Sequence, residues 1–159
     1  IPDPLWSRGL GDVYKRQDES TGYEPYAKQI SEIFKGNQNV LEEVINILFY
    51  IAEADGHVSN EEESMIANIA FIFGLSQNQY ESIKESRKSS DKLNPYIVLE
   101  SQPTDDLKSI RKKYIKLSKE HHPDLLISKG VPNEVINESK NKMRAINAAW
   151  DQIQKLKSS

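Results

Sequence analysis

The stretch DDLKSIRKKYIKLSKEHHPD, residues 105–124, decides the fold of the C-terminal part of this 159-residue chain. Its apolar residues recur every three or four positions, which predicts an amphipathic helix over residues 105–120 with Thr104 as its N-cap. Pro123 must end the helix because it lacks a backbone N–H, and it favours extended backbone at the residue before it. We therefore predict a stiff corner directly after a basic helix, in a polar loop that extends to about Asn133.

The predicted helix has one apolar face and one cationic face. Its inward stripe is predicted to consist of Leu107, Ile110, Tyr114 and Leu117. Its cationic ridge consists of Lys108, Arg111, Lys112, Lys116 and Lys119, and Lys113 widens it. Lysines on an exposed helix most often do no more than keep it solvated. The ridge therefore gains functional meaning only from the His-Pro-Asp that follows it.

A second long helix is predicted after the loop. Its inward stripe should consist of Met143, Ile146, Trp150 and Ile153. Two amphipathic helices joined by one loop are expected to pair antiparallel. The stretch NPYIVL, residues 94–99, precedes them and is too short to be stable as an isolated helix. The C-terminal part is thus predicted to be an antiparallel helical hairpin with a short flanking helix.

Residues 94–157 resemble the J-domain. NPYIVL resembles the first helix of that family, DDLKSIRKKYIKLSKEHHPD its second helix with the signature HPD loop, and MRAINAAWDQI its third helix. The resemblance implies a co-chaperone that binds a DnaK-type heat-shock 70 chaperone and stimulates its ATP hydrolysis. The partner-binding residues that it implies are His122, Pro123 and Asp124 together with Lys108, Arg111, Lys112, Tyr114, Lys116 and Lys119. His121 is interpreted as only the neighbour of the motif.

Three positions depart from the pattern of the J-domain. Leu125 follows the motif where a basic residue is common, and Ile115 takes a ridge position that is often lysine. Glu100 replaces the glycine that is common after the first helix. These departures bear on the strength of stimulation more than on the fold. Tyr114 is expected to be partly buried with its hydroxyl exposed, and Trp150 to belong to the core.

Charge divides the chain into two parts. Residues 1–93 hold 9 Lys and Arg against 16 Asp and Glu, whereas residues 94–159 hold 12 against 8. An acidic part joined to a basic part indicates two modules with different partners. The chain has no cysteine, which excludes disulfides and thiolate metal sites. No apolar run has the length of a membrane span.

The acidic part is predicted to be a helical bundle. One helix carries Val40, Leu41, Val44, Ile47, Leu48 and Ile51 on its main apolar face, with Ile45 and Phe49 on a second face. The capping boxes that should open the next two helices are Ser59 with Glu62 and Ser76 with Gln79. Between them, Gly74 should end a helix whose inward stripe is Ile66, Ile69, Ala70 and Phe73.

LFYIAEADGHVSNEEESMIANIAFIFGLS, residues 48–76, resembles the TerB-like domain in the form found in DjlA-type co-chaperones. The resemblance is carried by Ala-Asp-Gly at 54–56 followed by Glu62. It implies a sensing or targeting module over residues 25–87, joined to the J-domain by a linker at 88–93. TerB-like domains carry additional helices before this point, so the bundle is expected to be truncated at its N-terminal side.

Asp55 and Glu62 are the candidate metal ligands, since carboxylates are hard ligands and TerB-like relatives have been linked to divalent cations. Their spacing does not fit an EF-hand loop. Acidic residues in a first helical turn also offset the positive end of the helix dipole, and we favour that interpretation. His57 fits a solvated loop residue. We therefore expect no metal and no other cofactor.

The first residues are set aside. Ser7 through Gln17 match the translation of a transposase-type sequencing adapter over eleven consecutive residues. We interpret residues 1–17 as an artefactual, adapter-derived tail. On this interpretation the natural protein continues upstream.

Two alternatives to an active co-chaperone stay open. One is a J-like module that only docks, and the other is a protein whose basic helix binds nucleic acid. The loop is much longer than that of a helix-turn-helix, so no nucleic acid is expected. An enzyme is not expected either, because no nucleophile, metal set or glycine-rich phosphate loop accompanies the His-Asp pair. The expected location is the cytoplasm, at the cytoplasmic face of the inner membrane if the full-length protein has an upstream anchor.

Overall fold

The computed structural model describes residues 22–158, and every regular element in that range is helical. The α-helices are α1 (Glu24–Ile33), α2 (Gln38–Ala52), α3 (Asn60–Ile72), α4 (Gln77–Ser86), α5 (Pro95–Val98), α6 (Leu107–Glu120), α7 (Pro123–Ile127) and α8 (Asn133–Ser158), and a 3₁₀ turn, Glu53–Asp55, follows α2. The predicted all-α class is confirmed. No helix in the described part is long and apolar enough to cross a membrane. The predicted adapter-derived tail at residues 1–17 lies outside the described residues.

Helices α1 to α4 form the bundle and pack around one hydrophobic core. The buried side chains of this core include Leu41, Ile45, Phe49, Ile66, Ile69, Phe73 and Ile83. Both predicted capping boxes form. The Ser59 hydroxyl accepts the N–H of Glu62 at 3.1 Å, and the Ser76 hydroxyl accepts that of Gln79 at the same distance. Gly74 follows α3 with a left-handed φ of 79°, as predicted for its end.

The buried faces of helix α2 differ from the main apolar face that was predicted. Its most deeply buried apolar residues are Leu41, Ile45 and Phe49, whereas Ile51 is 42% exposed. Three polar residues of α2 are also buried, namely Glu42, Glu43 and Asn46. The reason is that α2 packs against α8 as well as against its own bundle. The polar face of α2, which the sequence pattern predicts to be exposed to solvent, is therefore covered by another part of the chain.

Helices α5 to α8 form the hairpin, which encloses a second hydrophobic core. The buried residues of this core include Val98, Leu99, Ile110, Leu117, Ala145, Ile146, Ala149 and Ile153. Helices α6 and α8 run antiparallel as predicted, since the end of α6 meets the start of α8 at His121 and Ser139. Further along, Tyr114 stacks on Trp150. Met143 and Trp150 lie half-buried at the edge of this core, so the expectation that Trp150 belongs to its interior was wrong.

The structure corrects the start of α6. Its N-cap is Asp106, whose carboxylate accepts the N–H of Ser109 at 2.8 Å. Thr104 is exposed in the preceding turn, so its predicted capping role was wrong. The helix begins at Leu107, which is 39% exposed although it was assigned to the inward stripe. A side chain in the first turn leans towards the N-terminal end of its helix and so away from the packed turns.

The predicted polar loop after α6 contains a short helix. Pro123 is the first residue of α7. The N–H of a first helical residue has no acceptor within the helix, so its absence in proline costs nothing there, and the fixed φ of proline suits the helix. Leu126 on the same helix is buried at 4% exposure. A loop from the motif to Asn133 was therefore the wrong prediction. Pro123 ends one helix and begins the next.

Glu100 is the non-glycine residue of the described part that has a positive φ, at 52°. The J-domain pattern commonly has a glycine at this position, where this chain has glutamate. A side chain at left-handed backbone costs roughly 1–2 kcal/mol because its Cβ approaches a carbonyl oxygen. The ammonium of Lys113 donates a hydrogen bond to the Glu100 carbonyl and holds this bend in place.

Candidate functional site

The HPD motif forms the exposed N-terminus of helix α7. His122 is the N-cap, with extended backbone (φ −65°, ψ 127°), and its Nδ1 accepts the N–H of Asp124 at 3.2 Å. Because Nδ1 is the acceptor, the ring proton of a neutral His122 lies on Nε2. The side chains of His122 and Asp124 are 54% and 80% exposed. Asp124 Oδ2 also lies 3.5 Å from His122 Nδ1, so the turn is fixed internally while both side chains stay exposed.

The cationic ridge lies on the exposed side of α6 and leads to the motif. All five of its members are exposed, namely Lys108, Arg111, Lys112, Lys116 and Lys119. Lys116 lies 3.9 Å from Glu120, but both side chains are exposed and such a pair contributes little stability. Lys113, which was expected to widen the ridge, is instead engaged with the Glu100 carbonyl.

Tyr114 connects the ridge helix to α8. Its ring stacks on Trp150 with centroids 5.1 Å apart, and its hydroxyl donates to Asn147 Oδ1 at 3.1 Å. The residue is half-buried, in agreement with the predicted partial burial. The hydroxyl lies at the surface, so Tyr114 combines a packing role with a polar group beside the ridge.

His121 is the residue that sequence reasoning missed. It is only 3% exposed, and its Nε2 lies 3.0 Å from Glu42 Oε2 while its Nδ1 lies 3.5 Å from Glu43 Oε1. These contacts are ion pairs, since neither ring nitrogen reaches hydrogen-bond geometry with a carboxylate. Burial alone would lower the pKa of His121, but the two carboxylates outweigh it and raise the pKa to about 9. His121 is therefore an imidazolium at neutral pH.

A buried lysine continues this polar layer between bundle and hairpin. The ammonium of Lys142 donates to the hydroxyls of Ser82 and Ser86 at 2.7 and 2.9 Å. Burial lowers the pKa of Lys142. The carboxyl of Glu100 is also near, and burial followed by repulsion from Glu42 raises its pKa. The two hydrophobic cores are thus joined through charged and hydroxyl groups.

Arg87 makes a second charged link across the same interface. Its Nη1 lies 2.6 Å from Glu138 Oε2 of α8, and its Nε lies 2.7 Å from Glu53 Oε1 of the bundle. The guanidinium also donates to the carbonyl of Asn46 at 3.2 Å. None of these contacts of Arg87 involves residues 122–124, so the link joins the two parts without using the HPD turn.

An open groove of about 880 Å³ lies between the bundle and the ridge helix. Lys116, Lys119 and Leu125 line its hairpin side, and Lys35 and Gln79 line its bundle side. Part of the ridge therefore faces the bundle across open space. A partner that reaches Lys116 or Lys119 approaches the bundle as well.

Of the two candidate metal ligands, Glu62 is engaged in local structure and Asp55 is exposed. Glu62 Oε1 accepts the N–H of Ser59 at 3.2 Å, which is its share of the capping box. Asp55 is exposed at the end of the 3₁₀ turn. Among residues 22–158, no group of three or more His, Cys, Asp or Glu is placed to hold a metal ion.

Comparison with protein families agrees with this architecture. Residues 94–158 match the family model described as DnaJ domain, and residues 10–85 match the one described as Tellurite resistance protein TerB. The chain therefore carries a TerB domain followed by a DnaJ domain. The TerB match begins at residue 10, within the stretch 1–17 that was interpreted as an adapter-derived tail.

Curated relatives that match the chain carry the name Co-chaperone protein DjlA, as the resemblance implied. The protein of that name from Vibrio parahaemolyticus is 34% identical over 123 residues, which is 70% of this chain and 43% of the relative. Those from Haemophilus ducreyi and Escherichia coli K12 are 33% and 26% identical, over 70% and 82% of this chain and 44% and 56% of the relative. The chain thus spans about half the length of the curated relatives it matches. No solved structure matches it.

Proposed function

We propose that this chain is part of a co-chaperone whose DnaJ domain binds a DnaK-type heat-shock 70 chaperone and stimulates its ATP hydrolysis. The observation that carries the proposal is the juxtaposition of an exposed HPD turn with an exposed cationic ridge on the helix that precedes it. The matched DnaJ family and the name shared by the relatives support it.

The ridge would act first, by long-range attraction to an acidic surface of the partner. Clustered exposed lysines accelerate association and orient the encounter, and this effect weakens as salt screens the charges. The five ridge residues lie on one rigid helix that is braced by Tyr114 and Trp150. Association would therefore bring the HPD turn to a fixed place on the partner.

The motif would act second, by polar contacts that bias the partner towards hydrolysis. The carboxylate of Asp124 is 80% exposed and suits a charge-assisted pair with an arginine of the partner. His122 holds the Asp124 N–H through Nδ1, which leaves Nε2 to donate a hydrogen bond outward. Pro123 fixes the backbone between them. In this proposal the chain regulates catalysis by its partner and carries out no reaction itself.

The bundle would serve as the sensing or targeting module, as the TerB resemblance implies. We place the module boundaries at residues 25–87 and 94–157, with 88–93 as the connection. The two separate hydrophobic cores support this division. The connection is itself held in place, since Arg144 donates to Ser90 Oγ at 2.5 Å and Gln152 to the Ser90 carbonyl at 2.6 Å. Because the partner consumes ATP, the proposed location is the cytoplasm.

The test is single-turnover ATP hydrolysis by a DnaK-type chaperone with the full chain added. His122→Gln should abolish the acceleration, because it removes the cap that shapes the HPD turn. His57→Gln is the matched control, since His57 is an exposed histidine of the bundle, away from the motif. Binding without acceleration by the unmodified chain would favour a docking-only module, and equal activity of both variants would exclude the role given to the motif.

A further inference from the structure

We infer that the TerB domain positions the HPD motif of the DnaJ domain. Glu42 and Glu43 of α2 hold His121, and His121 joins the ridge helix to the motif. The expected effect on ATP hydrolysis rests on the proposed function. The placement of His121 by Glu42 and Glu43 concerns this chain alone. Glu42 and Glu43 would thus be positioning residues for the motif that lie outside the DnaJ domain.

The geometry restrains His121 from three directions. Its N–H donates to the carbonyl of Leu117 at 2.9 Å, which makes it the C-cap of α6. Its carbonyl accepts the hydroxyl of Ser139 at 2.9 Å, which ties it to α8. Its ring lies between two carboxylates of the bundle. The next residue is His122, the N-cap of α7, so the direction in which the motif leaves the ridge helix is set at His121.

The charges around the ring come from two helices, α2 and α8, and from the turn before α6. Glu42 and Glu43 face it from α2, Lys142 from α8, and Glu100 from the turn that follows α5. Buried ion pairs are often no more stabilising than apolar residues of the same size, so stability alone does not explain such a cluster. Buried ion pairs do fix the placement of a side chain, because a buried charge is costly in any position where it has no partner of opposite charge. The cluster thus favours one placement of His121.

The Arg87 link provides the matched control. It also crosses between bundle and hairpin through a buried carboxylate, that of Glu138, but it does not contact the motif. Removing one charge from either link should weaken the interface. Only the removal of Glu42 or Glu43 should release His121. The two kinds of variant therefore separate positioning from general stability.

The experiment compares Glu42→Gln, Glu43→Gln and Glu138→Gln in the full chain. We expect the maximal acceleration of ATP hydrolysis to fall roughly tenfold in the first two, because a small misplacement of the motif suffices for that. The chain concentration for half-maximal effect should stay within about twofold, since the ridge is untouched. Glu138→Gln should keep the maximal acceleration. Urea unfolding of each variant confirms that it is folded under the assay conditions.

A second measurement does not depend on the chaperone. The N–H of Asp124, which donates to His122 Nδ1, reports the shape of the turn through its NMR chemical shift. We expect this shift to change in Glu42→Gln and Glu43→Gln and to stay in Glu138→Gln. An unchanged Asp124 signal, or full acceleration in both α2 variants, would overturn the inference. Failure of the unmodified chain to accelerate hydrolysis would instead refute the proposed function and leave the NMR result as the test.

Discussion

His121 Nε2 lies 3.0 Å from Glu42 Oε2, although the histidine belongs to the DnaJ domain and the glutamate to the TerB domain. Both residues are almost fully buried, at 3% and 4% exposure. The pair is therefore an internal charge contact that joins two hydrophobic cores. Its strength depends on the protonation of the imidazole, so the stability of the chain should depend on pH.

The first prediction concerns that pH dependence. The pKa of His121 is about 9 in the folded chain and about 6.5 when unfolded, so the folded state holds the proton more tightly. The resulting stabilisation is fully present below pH 6.5 and is lost as pH rises through 9. We expect the free energy of unfolding to fall by about 3 kcal/mol over this window. Urea unfolding at a series of pH values measures it.

The neighbours of His121 require a control in the same buffers. Burial lowers the pKa of Lys142, which adds stability as pH rises and so opposes the trend. Glu100, whose pKa is raised, acts at lower pH. The difference between the unmodified chain and His121→Gln isolates the histidine. Parallel stability curves for the two proteins, or an NMR titration of the His121 ring with a midpoint below 7, would contradict the prediction.

The second prediction concerns the strained backbone at Glu100. Glu100→Gly and Glu100→Ala both remove the carboxylate, but only glycine adopts a φ of 52° without a steric penalty. We expect the glycine variant to unfold at higher urea concentration than the alanine variant, with a difference of about 1 kcal/mol. Both retain the carbonyl that accepts from Lys113. Equal stability of the two variants would mean that the bend relaxes at no cost.

Local chemistry was largely predictable from the sequence. The two capping boxes require only residues three positions apart, and both Ser59 and Ser76 form them. The antiparallel pairing of α6 and α8 followed from two apolar stripes joined by one connecting segment. Asp106 was missed because Thr104, Asp105 and Asp106 are all acceptable caps, and backbone geometry alone selects among them.

The contacts between the two domains were not predictable in the same way. Glu42 and Glu43 sit side by side in a strongly apolar helix, which is a signal that their face is covered rather than solvated. The sequence does not show that the cover is His121, because the pairing joins residues far apart in the chain. The burial of Lys142 was not predictable either. In the sequence it is one of several basic residues, whereas in the structure it is buried and its ammonium donates to Ser82 and Ser86.

The third prediction concerns the brace behind the ridge. Tyr114→Phe keeps the ring stacked on Trp150 and removes only the bond to Asn147, so it should cost less than about 1 kcal/mol of stability. Trp150→Ala removes the stacked ring and should cost about 3 kcal/mol. Thermal unfolding distinguishes the two. A large loss in Tyr114→Phe would show that the hydroxyl, and not the ring, holds α6 against α8.

The fourth prediction concerns the ridge and requires a DnaK-type partner. Lys112→Glu reverses one exposed charge of the ridge, whereas Lys92→Glu makes the same change at an exposed position in the connection between the domains. We expect the first to slow association roughly fivefold at low ionic strength, because the ridge steers the encounter. The second should change the rate much less, although both variants have the same net charge.

Salt separates steering from direct contact in the same experiment. At about 1 M salt the screening length falls to roughly 3 Å, so the advantage of the unmodified chain over Lys112→Glu should largely disappear. The dissociation rate should change little, because an exposed lysine at the edge of an interface acts mainly before contact. Stopped-flow association across a salt series measures both rates. If Lys112→Glu mainly accelerates dissociation and the difference persists at high salt, Lys112 contacts the partner directly and the steering role falls to the rest of the ridge.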